Sequence, residues 1–229
     1  MLSLWWLFLF CPIAYLVGNL NFSIIITKYI LRKDIRKLGS GNAGASNVLR
    51  NFGFKWAITV LILEMIKATS ATVMGMFVFG GVGYDFSFTG AITNAHGLIG
   101  MYACGISAIV GSIFPVTMKF KGGKGVSTTV GMFFVVNPVV TVAMIIAGIF
   151  IAHFSYAIIS SFTFLAVLIT WEVAVRPVPP SVKIMLGCLV LLIIYTHRKN
   201  WYRLFTGKEN RAPVFKKKQK SVINDTPTP

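Results

Sequence analysis

The sequence predicts an all-α, polytopic membrane bundle, and three observations carry that prediction. Hydrophobic residues make up 55% of the chain and mean hydropathy is +0.75. Only 12% of the 229 residues are charged, against about 25% in a soluble domain. Apolar runs of about 20 residues, enough for one helical span, recur along the whole length. No stretch reads as an independent soluble module. Residues 1–212 are therefore expected to form one membrane domain, followed by a basic, disordered tail at 213–229.

The first run, MLSLWWLFLFCPIAYLVGNLNFSIII, has no basic n-region and no small-residue cleavage pattern after it, so it reads as a retained first span. Runs at 56–83 and 89–118 supply the second and third spans. The net charge is +16, and 19 of the 22 basic residues fall in three clusters, at 28–55, 119–124 and 198–220. The positive-inside rule puts all three clusters on the cytoplasmic face and the N-terminus outside. The intervening loop GGVGYDFSFTG carries an acid and no base, as an external loop should. Charge so distributed speaks for topology and attraction to anionic lipid, not for nucleic acid.

Between the second and third clusters the number of crossings must be even. Hydropathy offers a long uncharged run, 126–171, and a short one near 184–196. The long run is then one bent span, or three short ones divided near Asn137-Pro138 and near His153. Proline breaks helices, which gives the first division a mechanism. Five or seven spans both satisfy the pattern. Cys11, Cys104 and Cys188 stand far apart in apolar runs, a spacing that fits neither a disulfide framework nor a metal site. No metal or cofactor is expected.

Each basic cluster holds more than topology requires. GSGNAGASNVLR sets Gly39, Gly41 and Gly44 among Ser40, Asn42, Ser46 and Asn47, ahead of Arg50. Such a turn can present backbone N–H groups to an anion, and Arg50 adds a bidentate fork. A flexible linker would have little use for the spaced side-chain amides of Asn42, Asn47 and, just beyond the motif, Asn51. FKGGKGVSTTVGMFF runs Gly122, Gly123, Lys124 and Gly125 straight into an apolar helix, whose N-terminus suits a phosphate. A nucleotide P-loop is excluded, because Met118 and Gly125 stand where that motif needs Gly and Ser/Thr. In THRKNWYRLFTGKENR, His197 and Asn200 share a helical face, with Arg203 one turn on and Glu209 nearby. Glu64 and Lys67, at i, i+3 inside the second span, read first as a structural ion pair and second as support for a site. Three motifs thus supply anion-binding parts at one membrane surface, with no paired carboxylates among them.

Residues 39–53, GSGNAGASNVLRNFG, 120–128, FKGGKGVST, and 197–209, HRKNWYRLFTGKE, resemble in order and spacing the three motifs of the bacterial acyl-phosphate:glycerol-3-phosphate acyltransferase family. The resemblance runs from about residue 4 to 210. It implies a seven-helix enzyme of the bacterial inner membrane that acylates the 1-hydroxyl of glycerol 3-phosphate from acyl phosphate, giving lysophosphatidic acid and phosphate. It also implies catalytic roles for Ser40, Arg50, Lys124, His197 and Asn200. Substrate binding falls to Asn42, Asn47, Gly122, Gly123, Gly125, Ser161 and Glu209. A monomer in contact with membrane lipid is expected. The chain departs from the family pattern at Ser112, where His is usual, and at Glu64, which is one methylene longer than the usual Asp. Ser46, Ser127 and Trp201 stand where Thr, Ala and Ile are more usual.

An acyl phosphate is already activated, so the task is to hold two anions in a near-attack arrangement. Direct attack by the glycerol hydroxyl is the expected course, its proton passing to His197 or to a substrate phosphate oxygen. A transporter would use similar parts but should show internal repeats and broken helices at the midplane, and the sequence offers no convincing repeat. A lipid-binding scaffold needs only the basic tail and leaves the three motifs without a purpose.

Overall fold

The computed structural model describes residues 3–80, 94–154 and 156–209. The expected tail at 213–229 and most of the loop GGVGYDFSFTG lie outside the described residues. Among the described residues the chain is all-helical, with four segments long and apolar enough to cross a membrane: Leu4–Ile30, Phe54–Phe79, Ala95–Met118 and Pro180–Phe205. Three shorter apolar helices lie between the third and fourth.

The first span is not one straight helix. α1 (Leu7–Gly18) stops at Asn19, and α2 (Phe22–Ile25) starts afresh and continues as a wide π turn over Ile26–Ile30. Asparagines make the break. Asn19 folds its amide back onto Tyr15 O (2.7 Å), and Asn21 caps α2 by accepting from Ile24 N (3.0 Å). The polar segment that follows leads into α3 (Ala45–Phe52), and Gly53 (φ +86°) turns the chain into α4 (Phe54–Phe79). α5 (Ala95–Ile113) is the most enclosed of the long helices. It packs so tightly on α4 that a Cβ at Gly75 would overlap the Gly100 carbonyl. Small residues of this kind let membrane helices approach at backbone distance. Cys11 and Cys104, remote in sequence, meet in side-chain contact between α1 and α5 as free thiols.

The run 126–171 divides into three helices, α6 (Val126–Val136), α7 (Pro138–Phe154) and α8 (Ala157–Ala174). The first division falls at Asn137-Pro138 and the second two residues beyond His153. α9 (Pro180–Phe205) is twice as long as its apolar run, because Pro180 starts it early and the third motif continues it. Proline at the first helical position gives up no hydrogen bond. Among the described residues, seven helical segments, counting α1 with α2 as one and leaving α3 aside, thus make up the bundle. Met101, Phe133, Leu168, Leu186 and Leu189 form its core, while Phe8, Ile66, Phe77, Ile146, Phe150 and Leu191 face outward. Exposed apolar side chains of this size suit a lipid solvent.

A buried ionic cluster at the far end of α6 escaped sequence reasoning. Glu172 pairs with Arg176 at 2.8 Å, Tyr102 donates to the same carboxylate oxygen at 2.5 Å, and Arg176 reaches Val136 O at 3.4 Å. It joins α5, α6 and α8 at the end remote from the three motifs.

Candidate active site

At the opposite end the loops between helices enclose a cavity of about 720 Å³. All twelve residues singled out in the sequence line it: Ser40, Asn42, Asn47 and Arg50 from the first motif; Gly122, Gly123, Lys124 and Gly125 from the second; His197, Asn200 and Glu209 from the third; and Ser161 from α8. Two helix N-termini open on it, that of α3 through Gly44–Ser46 and that of α6 through Gly125–Ser127. Unpaired N–H groups and the positive end of the helix dipole make each of these favourable for an anion.

The first motif is held in shape by one side chain. Asn47, buried, donates to Leu38 O (3.0 Å), Asn42 O (3.0 Å) and Ile35 O (3.2 Å), and its Oδ1 accepts from Ser40 N (3.1 Å) and Asn51 Nδ2 (3.1 Å). Its amide is spent on the loop, so Asn47 shapes the wall that it was expected to present to substrate. Arg50, half-buried, has an Nε with no hydrogen-bond partner among the described residues. Burial pulls the Arg50 guanidinium below its ordinary value, Glu209 opposes this, and Arg203 adds to it. An orphaned donor on a buried cation is the feature an anion would satisfy.

The second motif differs from the expectation that its glycine N–H groups cradle a phosphate. Gly122 N donates to Ile113 O (3.2 Å) and Gly123 N to Ser112 O (3.1 Å), the last carbonyls of α5. Both donors are therefore engaged in stitching the loop to α5. The residues are glycine for another reason. A Cβ at Gly123 would stand 2.7 Å from Ala43 O, and one at Gly122 would overlap Ser112 O. What remains for an anion is Lys124 and the start of α6, reached through Gly125 in the left-handed region (φ +79°).

Lys124 donates to Asn200 Oδ1, and Asn200 Nδ2 donates to Glu209 Oε1 (2.8 Å), so the second and third motifs form one chain of bonds. Glu209 Oε2 is buried without a partner among the described residues. Burial lowers the Lys124 ammonium to about 8, with Glu209 raising it and Arg203 and Arg50 lowering it further. His197 is buried, with Nδ1 3.0 Å from Ile193 O and its ring edge-on to Phe162 at 5.3 Å. A carbonyl can only accept, so Nδ1 carries the hydrogen and Nε2 of the neutral ring keeps its lone pair.

The region from residue 8 to 207 matches the family model described as glycerol-3-phosphate acyltransferase. The chain belongs to the glycerol-3-phosphate acyltransferase family. It is 34% identical over 217 residues to the glycerol-3-phosphate acyltransferase of Mycoplasmopsis pulmonis, covering 87% of this chain and 90% of the relative. With that of Thermoanaerobacter pseudethanolicus it shares 35% identity over 207 residues, covering 87% and 92%. The crystal structure of PlsY (YgiH), an integral membrane glycerol 3-phosphate acyltransferase, in its glycerol 3-phosphate form, superposes with a TM-score of 0.77 at 30% identity, covering 90% of this chain and 94% of that one. Its lysophosphatidic acid form gives 0.74 at 29%.

Other residues line the cavity of this acyltransferase family member besides those twelve, among them four with polar or charged side chains that bear on the site. Glu64, Ser112 and Thr128 line the floor, and Arg203 stands near Lys124 and Arg50. Arg203 was legible as a neighbour of the His197 face. Ser112 stood out only as a departure from the family pattern and Thr128 was given no role, since a lone hydroxyl in an apolar helix usually bonds its own backbone.

Proposed function

We propose that this chain transfers a fatty acyl group from acyl phosphate to the 1-hydroxyl of sn-glycerol 3-phosphate, giving lysophosphatidic acid and phosphate. The observation that carries this reading is the meeting of Arg50, Lys124 and two helix N-termini on one cavity, in a chain whose family is glycerol-3-phosphate acyltransferase. Two anionic substrates need two sets of positive partners, and the cavity offers them from separate motifs. The solved relative in its glycerol 3-phosphate and lysophosphatidic acid forms supports acceptor and product alike.

The glycerol hydroxyl oxygen bonds to the acyl carbonyl carbon, and the carbonyl-to-phosphate oxygen bond breaks with its electron pair leaving on phosphate. Arg50 and Lys124 hold the phosphates together against their repulsion and stabilise charge on the leaving group. Asn200 orients Lys124, Glu209 orients Asn200, and Ser40, Asn42 and Ser161 complete the polar wall. His197, with Nε2 unprotonated, takes the hydroxyl proton. His197→Gln should then abolish turnover and leave glycerol 3-phosphate binding nearly intact. Substantial remaining turnover would move the proton to a substrate phosphate oxygen. The cavity and the basic clusters face the cytoplasm and the N-terminus lies outside, as the positive-inside rule requires. Residues 1–212 work as a single membrane domain, and the protein acts as a monomer in contact with membrane lipid.

Turnover of labelled glycerol 3-phosphate by the purified protein, with acyl phosphate and acyl-CoA offered separately, tests the reading. Lysophosphatidic acid from acyl phosphate alone is expected. Product from acyl-CoA alone would overturn the donor, and no product from either would overturn the reaction.

A further inference from the structure

Beneath the loop of the second motif lies a closed cluster of four side chains from three helices. Glu64 and Lys67 on α4 pair at 2.6 Å with both side chains almost fully buried. Taking such a pair out of water is costly, and apolar residues of similar volume often serve stability as well. Its bonds point to a different use. Lys67 Nζ donates to Leu20 O (2.7 Å) and Gly18 O (3.0 Å), where α1 ends, and lies 3.2 Å from Ser112 Oγ. Glu64 Oε1 accepts from Phe22 N at the start of α2 (2.9 Å). Glu64 Oε2 lies 3.3 Å from both Ser112 Oγ and Thr128 Oγ1, and these two hydroxyls are 3.0 Å apart.

The two hydroxyls bracket the loop. Ser112 sits in the last turn of α5, and its own carbonyl receives the Gly123 N–H. Thr128 is the third residue of α6, one step inside the helix N-terminus that opens on the cavity. One buried carboxylate thus fastens the chain on both sides of Gly122–Gly125, and its lysine fastens that carboxylate to the broken first span. With its charges already paired, the cluster has no net charge to offer a substrate and acts through the loop it holds.

We propose that Ser112 and Thr128, anchored on the Glu64–Lys67 pair, are positioning residues that fix Lys124 and the α6 N-terminus at the spacing a phosphate monoester or acyl phosphate dianion requires. The proposal rests on the acyltransferase reading of the same cavity. The two substrates share the phosphate chemistry, so kinetics with each varied in turn shows which one the loop holds.

The experiment compares wild type with Ser112→Ala, Thr128→Val and Thr128→Ser. It measures kcat, KM for each substrate, the inhibition constant of inorganic phosphate, and the thermal midpoint. Each alanine or valine change removes about one hydrogen bond from the brace, so KM for the loop-held substrate and the phosphate constant should rise together by about three- to tenfold. kcat should change less than KM. Thr128→Ser keeps the hydroxyl and should restore both constants. A fall in thermal midpoint with KM and phosphate inhibition unmoved would overturn the proposal, as would Thr128→Ser behaving like Thr128→Val. Direct binding of labelled inorganic phosphate gives the same comparison without turnover. Wild-type protein that forms no product but loses phosphate affinity in Ser112→Ala would strike the acyltransferase reading and support the brace. Equal phosphate affinity in all variants would strike the brace alone.

Discussion

The ammonium of Lys124 titrates at about 8, low for a lysine, because it is held largely out of water beside Arg203 and Arg50, with Glu209 only partly offsetting them. In the proposed mechanism Lys124 holds phosphate in its protonated form. Activity should therefore be sustained below pH 8 and fall as pH rises through it. At pH 9 about one-tenth of the free enzyme would carry the charge, whereas an ordinary lysine, at about 10.4, would be more than nine-tenths charged. The kcat/KM profile reports the free enzyme, so it should lose about tenfold per pH unit above 8. Two substitutions move the limb in opposite directions. Lys124→Arg places a group that stays charged throughout and should flatten the alkaline fall, though from a lower plateau because the guanidinium does not reproduce the bond to Asn200. Glu209→Gln removes the acid that raises Lys124 and should shift the limb below pH 8. The assay is initial-rate turnover from pH 6.5 to 10, where substrate phosphates with a second pKa of about 6 stay largely dianionic. An alkaline limb above pH 10 in wild type, or one indifferent to both substitutions, would refute the argument.

Gly123→Ala puts a methyl group 2.7 Å from a backbone carbonyl that cannot swing aside, and kcat/KM should drop by about tenfold or more from overpacking alone, with Gly187→Ala, where an added methyl group meets nothing within 4 Å, as the steric control. Glu64→Asp withdraws the carboxylate by about 1.5 Å from Phe22 N, Ser112 and Thr128 and should raise KM. Glu64→Asp combined with Ser112→His, the pairing that the resemblance of the motifs implies, should regain part of that loss, which a KM series across the two single variants and the double one reads directly. Glu172→Gln removes the carboxylate that pairs with buried Arg176 at 2.8 Å, so thermal denaturation should show a loss of up to about 3–5 kcal/mol. KM should hold, because that cluster lies at the far end of α6.

The helices were legible wherever a local rule governs them. α4 and α5 follow from long, largely apolar runs, and Asn137-Pro138 ends α6 through a missing backbone donor. The division beyond His153 carries no breaker and was located only approximately. Hydropathy underestimated α9, because helical hydrogen bonding continues through Thr196–Phe205 whether the side chains are apolar or charged. The break between α1 and α2 has a local part, the Asn21 cap, and a part beyond the reach of sequence. The second part depends on Lys67, 47 residues along the chain from Leu20, taking up carbonyls that a continuous helix would have used.

The cavity was legible for a different reason. Anion chemistry needs particular residue types, and the three motifs concentrate those types beside apolar spans. Sequence could not assign the hydrogen bonds, and their assignment changes how the site works. The glycines of the second motif read as a cradle of N–H donors, yet Gly122 and Gly123 give theirs to Ile113 and Ser112. Asn47 read as a ligand, yet its amide closes the first loop. With those donors committed, recognition of a phosphate passes to charges and dipoles: Lys124, the unpartnered Arg50 Nε, and the first turns of α3 and α6. A cradle of backbone donors enforces its own geometry, but charges and helix ends act over a distance and must be aimed. That gives buried Glu64, Lys67, Ser112 and Thr128 their place beneath the loop, since a site built from aimed parts is only as selective as the brace that aims them.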